Sequence, residues 1–367
     1  MNEVQVHLDR EWNMKRKVLG ISAGISFLLF LLLFAISNRM VNSLDTQTIV
    51  KRWSEDGGNA HVSCFFSVNS GVSQDRIEEL EHSYDSLLAD AGILPDPEKP
   101  GARLWVDAYS ADGKITISSD RATLSMDAIG IGGDFFLFHP LKLLSGSYFS
   151  GNDVMQDYCV IDQDAAWQLF GSNDVAGQMV SISGVPHIIT GVVQREDGRL
   201  DKAAGLDATL VYVSMESLTK YGRSNGINHY EVLMREPVDD FTVNCIKEKL
   251  AYDEKEIELV ENSKRFSFLS RLKLIPKFGT RSMNGKAIIY PYWENVARGY
   301  EDILSVITLF EVIFLVFPLG VVIGLFAFYW KHKGWTLGEK LRRLKDIAER
   351  RIEKLRLRVR RKKKAQR

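Results

Sequence analysis

The chain has 367 residues, 45% of them hydrophobic and 26% charged, so length sets no limit on burying one large or two modest cores. Its 47 Lys and Arg balance 47 Asp and Glu, which excludes a uniformly basic or acidic protein, but the charges are unevenly placed. Residues 331–367 hold 17 basic against 4 acidic residues and 1–17 hold 4 against 3, whereas 38–330 hold 26 against 40, a split expected when parts of a chain lie on opposite sides of a barrier.

The first 17 residues end in Lys15, Arg16 and Lys17, and the uncharged run "VLGISAGISFLLFLLLFAIS" (18–37) follows. At about 1.5 Å per residue this run can cross a hydrocarbon layer of about 30 Å. A cleaved signal peptide is the alternative, but the run exceeds a usual apolar signal region and "FAISNRM" offers no convincing small-x-small cleavage site. The segment is predicted to be an uncleaved transmembrane helix with its basic flank in the cytoplasm.

A folded domain is expected over 38–302. "AHVSCFFSVN" (59–68) is a strand candidate, and a helix follows from Ser73, with Ile77, Leu80, Tyr84, Leu87, Leu88 and Ala91 on one stripe. "ILPDPEKPG" ends it. "ARLWVDAYSADGKITISSD" alternates apolar and polar residues and suggests a hairpin turning at Asp112-Gly113. Later, "HYEVLMRE" (229–236), "VDDFTVNCIKEKLAYD" (238–253) and "EIELVE" (256–261) form a second strand-helix-strand unit. The two units make a base of 59–130 and 228–262, and 131–227 is an insertion. The whole is expected to be an α+β domain with helices covering a sheet.

The insertion opens on Phe135, Phe136, Leu137 and Phe138, and its apolar run to Leu144 is too short to span a membrane, so it is expected to be a buried crossing between base and insertion. "SGSYFSGND" (145–153) follows, then strand candidates "YCVID", "MVSIS", "HIITGVV" and "ATLVYVS", with Gly184 and Pro186 breaking the middle pair into a hairpin. "DQDAAWQLFG" reads as a short helix capped by Asp162 or Asp164 and stopped by Gly171, with Ala166, Trp167 and Phe170 available for burial.

In their order, the aromatic run, the Gly-Ser-Tyr-Phe-Ser element, "YCVID", "AAWQLFG" and "VAGQMVSISGVPHIITGVV" resemble the periplasmic core domain of MacB-type ABC-transporter permeases, related to FtsX-like permeases. The resemblance covers the first apolar helix and most of 38–262. It implies a Porter-like β-α-β pair as the base and a β-rich, Sabre-like insertion. It also implies four transmembrane helices, whereas this sequence shows a second apolar segment, 303–330, and no more after it. The expectation is a member lacking the last two transmembrane helices.

The second segment, "ILSVITLFEVIFLVFPLGVVIGLFAFYW", ends in Tyr329-Trp330 and is followed by Lys331 and Lys333, an aromatic anchor with a cytoplasmic basic flank. "YPYWENVARGYED", from Tyr290, reads as the start of a helix continuous with it. Pro318 is expected to bend that helix, and Glu311 to reach the headgroups at its outer edge. Both termini are predicted in the cytoplasm, with the large domain on the other side of the cell membrane.

Chemistry-bearing motifs are sparse. There is no G-x-x-x-x-G-K-[ST], so no ATPase of its own, and no H-E-x-x-H; G-x-S-x-G occurs at 20–24, inside the first apolar run, and at 222–226, ahead of a strand candidate and not a helix, so neither has the strand-to-helix setting of a nucleophile elbow. Ser217-x-x-Lys220 and Ser270-x-x-Lys273 are short enough to arise by chance, and His61, His139, His187 and His229 stand singly, as satisfied strand histidines do. No catalytic residue, metal site or cofactor is expected. Cys64, Cys159 and Cys245, an odd number in apolar stretches, are expected to be buried free thiols.

The tail, 331–367, reads as a basic amphipathic helix. Leu341, Leu344, Ala348, Ile352, Leu355 and Val359 recur at three- and four-residue steps, leaving Arg350, Arg351, Lys354 and Arg358 mostly off that stripe. Leu344, Ile352, Arg350, Arg351, Lys354 and Arg358 are therefore the candidate contacts to anionic lipid or to a cytoplasmic ATPase. Nucleic-acid binding is not expected of a tail held at a membrane. The reading is a non-enzymatic membrane subunit or accessory of an ABC-transporter-type assembly with ATPase and permease partners, coupling its spans to an extracytoplasmic protein or ligand. The alternative is a non-transporting, membrane-anchored sensor or adaptor using the same domain as an interaction module.

Overall fold

A computed structural model describes residues 3–44, 47–54, 58–95, 97–99, 101–206, 208–250, 256–278, 290–332 and Lys345. Its element order is α1 (Glu3–Asn42), α2 (Ile49–Trp53), β1 (Asn59–Phe66), α3 (Gln74–Asp90), β2 (Trp105–Ser118), β3 (Thr123–Gly133), α4 (Phe135–Phe138) and β4 (Leu143–Gly146). There follow β5 (Tyr158–Asp162), α5 (Gln163–Phe170), β6 (Met179–Ile182), β7 (Val185–Val193), α6 (Arg199–Ala203), β8 (Leu210–Ser214), α7 (Met215–Tyr221) and β9 (Arg223–Ser224). The last elements are β10 (His229–Arg235), α8 (Phe241–Leu250), β11 (Ile257–Glu261), α9 (Phe268–Leu274) and α10 (Tyr292–His332).

Contacts divide the chain into two compact units, Leu33–Phe310 and a second made of Met1–Leu32 with Glu311–Arg367. In the second unit the apolar helices meet each other. Ser26 donates its hydroxyl to the Phe314 carbonyl at 2.9 Å, and the Arg16 guanidinium sits 5.1 Å from the centre of the Phe328 ring. These pairings run in opposite chain order, so the helices are antiparallel here. Large apolar side chains such as Leu28, Ile313 and Val322 face outwards, the pattern of helices solvated by lipid. Both helices are long and apolar enough to cross a membrane. Pro318 lies inside α10. Glu311 corrects the reading given above, for it is fully buried instead of turned outwards.

The larger unit is α+β, built on one sheet in the order β11-β1-β10-β2-β3-β8-β5-β7-β4, with β6 joining β2 and β7 and β9 joining β2. Base and insertion strands are continuous through the parallel β3–β8 pair. Period-two alternation sorts the side chains between two cores. Val62, Cys64 and Phe66 of β1 and Tyr230, Val232 and Met234 of β10 pack with Ile77, Leu80 and Tyr84 of α3. On the opposite face Val106, Ala108, Ile129 and Ile131 meet Phe135, Phe136, Phe138 and Trp293. All three cysteines are buried and free.

The α3 stripe lies as its periodicity predicts, with Ile77, Leu80, Tyr84 and Leu88 buried. Asp162 caps α5, accepting from the Ala165 amide at 2.7 Å, and Gly171 closes it in the left-handed region. The buried face of α5, however, is Ala165, Ala166 and Leu169, while Trp167 is 58% exposed and Phe170 half-buried. The β6–β7 hairpin turns through Ser183 and Gly184, both at positive φ, which suits a tight turn between twisted strands.

The β2–β3 hairpin does not turn at Asp112-Gly113. β2 runs straight through these residues, pairing Asp112 with Ile129 and Gly113 with Ala128, and the chain reverses at 119–122. The glycine serves a close approach instead, since a Cβ there would lie 2.6 Å from the Arg223 carbonyl oxygen. The run from Phe135 does join a base strand to an insertion strand. Its aromatic half is a buried helical turn, whereas Leu144, on edge strand β4, is 40% exposed.

Gly151 fixes how the loop after β4 lies on the end of β3. Its amide donates to the Gly133 carbonyl at 3.0 Å, and a Cβ on it would stand 2.4 Å from the Gly132 Cα. Backbone cannot swing aside as a side chain can. Gly151→Ala is therefore expected to destabilise the protein by about 1–3 kcal/mol, read as a lowered thermal unfolding midpoint in detergent; an unchanged midpoint would contradict this packing.

Candidate functional site

A group of buried polar side chains lies on the sheet face that meets the start of α10. His229 and Glu231, two apart on β10, project to the same face, and His61 on the neighbouring β1 joins them from the register that pairs Ser63 with Glu231. The chain leaving α4 brings His139 over the group. Glu231 is bonded to His61 Nε2 at 3.0 Å and to His139 Nε2 at 2.6 Å, and His229 Nε2 stands 4.0 Å from it. All four residues are at most 3% exposed. Trp293, in the first turn of α10, roofs the cluster, its ring 4.3 Å from that of His139 and 5.3 Å from that of His229.

Burial works against ionisation of Glu231, but the imidazoles of His139 and His229 and the hydrogen bonds from His139 and His61 overrule it and hold the carboxyl well below its usual range. Burial pushes the His229 imidazole down to about 4, with Glu231 opposing and His139 adding to the shift. The ligand atoms of His139, His229 and Glu231 lie within 4.8 Å of one another. The histidines that stand singly in the sequence are thus gathered by folding, three of the four onto one carboxylate. His187 does behave as a satisfied strand histidine, against the Ser217 hydroxyl at 2.9 Å and the Val185 carbonyl.

A second constellation is joined to the first through Phe65, whose ring stacks on His229 at 5.1 Å and meets Tyr290 edge-on at 5.4 Å. Glu294, Arg298 and Glu301 recur at four- and three-residue steps along α10 and so share one face. Arg265, just beyond β11, donates to both oxygens of Glu294 at 2.7 and 2.9 Å and to Glu301 at 2.7 Å. Arg298 donates to Glu294 at 2.6 Å and to Glu258 of β11 at 2.7 Å, and its guanidinium lies 3.8 Å from the centre of the Tyr290 ring. The Tyr290 hydroxyl completes the circuit on Glu258. Glu294 also sits in the first turn of α10, where the helix dipole favours an anion.

Two concavities adjoin this face. One of about 180 Å³ is lined by His139, Trp293, Ala297 and Tyr300, the other, of about 740 Å³, by Asp112, Asp127, Tyr290 and Tyr292. The Ser-Lys patterns have structural uses. The Ser217 hydroxyl donates to the Gln156 carbonyl and Lys220 pairs with Glu216, while Ser270 donates to the Lys264 carbonyl. The tail candidates Leu344, Arg350, Arg351, Ile352, Lys354 and Arg358 lie outside the described residues.

Because Glu294 is 3% exposed and shared by two arginines, removing its charge leaves both without a central partner. Glu294→Gln is expected to cost about 3–5 kcal/mol, seen as a large fall in the unfolding midpoint of the full chain. A midpoint within a degree of wild type would show that the network does not fasten α10.

Comparison with known proteins bears on this domain directly. Residues 18–244 match the family model of the MacB-like periplasmic core domain. Among curated relatives, a macrolide export ATP-binding/permease protein MacB of Chromobacterium violaceum is 27% identical over 110 residues, 29% of this chain and 16% of that protein. A MacB 2 protein of the same description from Aeromonas hydrophila is 25% identical over 207 residues, 54% of this chain and 29% of that protein. The matches thus span less than a third of these relatives' length. Among solved structures, the periplasmic region of MacB from Actinobacillus actinomycetemcomitans aligns with 16% identity and a TM-score of 0.36 over 56% of this chain and 89% of that one. The extracellular domain of the ABC-type transporter YknZ from Gram-positive bacteria aligns with 17% identity and a TM-score of 0.35 over 55% and 99%. With more than half of its length matched by the family model, this chain belongs to the MacB-like periplasmic core domain family.

Proposed function

We propose that the protein is a non-enzymatic membrane subunit or accessory of an ABC-transporter-type assembly, in which the MacB-like domain works outside the cytoplasm and passes the movement of the membrane helices to an extracytoplasmic partner or ligand. The observation that carries this reading is the fastening of the first turns of α10 to the base by Arg265, Glu294, Arg298 and Glu258. The same helix continues as the apolar stretch of α10. An adaptor that only displayed a binding surface would need no such fastening between its fold and its anchor. The matched relatives are ATP-binding/permease proteins, and in this reading a cytoplasmic ATPase supplies the energy.

The antiparallel pairing of the apolar helices and the basic flanks at 15–17 and 331–367 support a topology with both termini in the cytoplasm. The tail would then meet anionic lipid or the ATPase through Leu344 and Ile352 on one side and Arg350, Arg351, Lys354 and Arg358 on the other.

Asp120 is exposed in the β2–β3 turn and the three native cysteines are buried, so Asp120→Cys supplies a reporter. A membrane-impermeant maleimide is expected to label it in intact cells, and labelling only after lysis would reverse the topology. Crosslinking through the exposed Lys345, followed by purification of the full chain, is expected to recover an ATP-binding subunit. Recovery of no such subunit would favour the sensor or adaptor.

A further inference from the structure

We infer that His139, His229 and Glu231 form a buried binding site for a divalent transition-metal ion of the zinc class, with His61 positioning the carboxylate. The inference is independent of the transporter reading and rests on the cluster's unsatisfied atoms. His229 Nε2, 4.0 Å from Glu231, is buried without a hydrogen-bond partner, as are the outer ring nitrogens His61 Nδ1 and His139 Nδ1, in an interior where such atoms are nearly always paired.

His229 is the most telling. Its Nδ1 faces the Ser110 hydroxyl at 3.3 Å, and when that nitrogen carries the proton, Nε2 is a bare lone pair. In that tautomer Nε2 and a Glu231 oxygen, both acceptors, stand 4.0 Å apart with a gap a cation would fill; in the other, the N–H is too far from the carboxylate for a hydrogen bond, so Nε2 is unsatisfied either way. Imidazole nitrogen and carboxylate oxygen are the donors that zinc and its neighbours prefer, and oxygen-seeking calcium or magnesium would find too few oxygens here.

The separation of donors suits an ion too. Ligand atoms about 2.0–2.2 Å from one zinc ion stand some 3.3–3.6 Å apart at tetrahedral angles. Here His139 Nε2 lies 2.6 Å from one Glu231 oxygen and His229 Nε2 4.0 Å from the other, and one donor atom from each of the three residues lies within 4.8 Å of the rest, so a small adjustment of the side chains reaches that spacing. The ion takes the place of the hydrogen in the His139–Glu231 bond, His139 keeping its ring hydrogen on Nδ1, and bonds to His139, His229 and Glu231. His61 keeps its 3.0 Å hydrogen bond to Glu231, the role of an outer residue that orients a ligand. The cavity of about 180 Å³ beside His139 and Trp293 gives an ion a way in.

The consequence is mechanical. The ion would tie β10 to the segment after α4 directly under Trp293, stiffening the surface on which α10 begins.

The test uses the full chain in detergent, stripped with a chelator and titrated with Co²⁺, then Zn²⁺. One Co²⁺ per chain is expected, with visible d–d absorption that Zn²⁺ abolishes. His229→Gln and His139→Gln are expected to weaken binding at least 100-fold and His61→Gln about 10–100-fold, while His187→Gln, a buried histidine outside the cluster, leaves it unchanged. Should the cluster variants fail to fold, Trp293→Phe decides, since this residue supplies no ligand and the variant keeps an aromatic ring over His139. Co²⁺ is expected to quench wild-type tryptophan fluorescence, and this variant is expected to lose most of that quenching. Absence of stoichiometric Co²⁺ binding, undiminished binding in folded His229→Gln, or quenching unaltered in Trp293→Phe would each overturn the site.

Discussion

A charge taken out of water must meet its opposite, and in this protein that requirement decides where α10 begins. Arg265 and Arg298 are among the largest fully or almost fully buried side chains of the larger unit, and their carboxylate partners come from both the base and α10. The face formed by Glu294, Arg298 and Glu301 can stay dry only when Arg265 and Glu258 stand opposite it. The network therefore selects one position for the helix start, whatever its net contribution to stability. An apolar contact of the same area would tolerate a slide along the helix, which charges paired through two-pronged hydrogen bonds do not.

The polar layer beside it follows from the geometry of a sheet. Alternation along β1 and β10 sends Cys64, Tyr230 and Val232 to one core and His61, His229 and Glu231 to the other. The second face is closed by aromatic rings from α4 and by Trp293, so the histidine cluster is sealed by the element that the ion pairs hold in place. Phe65 connects the two groups by touching His229 and Tyr290. A disturbance at either group thus reaches the other through packed rings.

Much of the fold was legible because it rests on local patterns. The α3 stripe, the Asp162 cap with its Gly171 stop, the Gly184 turn and the order of strands in the insertion all come from neighbours within a few residues. Asp112-Gly113 misled because an Asp-Gly pair suits a hairpin turn, while here register with β3 and the close passage of Arg223 require a glycine inside a strand. Trp167 misled because an eight-residue helix offers too few turns to fix which face is buried. The candidate site was largely illegible. His61, His139 and His229 are separated by tens of residues, and no spacing rule joins a β1 residue to one after α4. The i, i+4, i+7 set Glu294, Arg298 and Glu301 was readable as a face, but its partner Arg265 lies in an irregular segment without periodicity.

In this account the MacB-like domain and the start of α10 form one mechanical piece, and the most direct test is whether they loosen together. Amide hydrogen exchange of the full chain in detergent, compared between wild type and Arg265→Met, reports this segment by segment. The account expects the amides of 295–301 and of β11 to lose protection in parallel in the variant, while those of α3 keep theirs. Unchanged protection of 295–301 in Arg265→Met would contradict it.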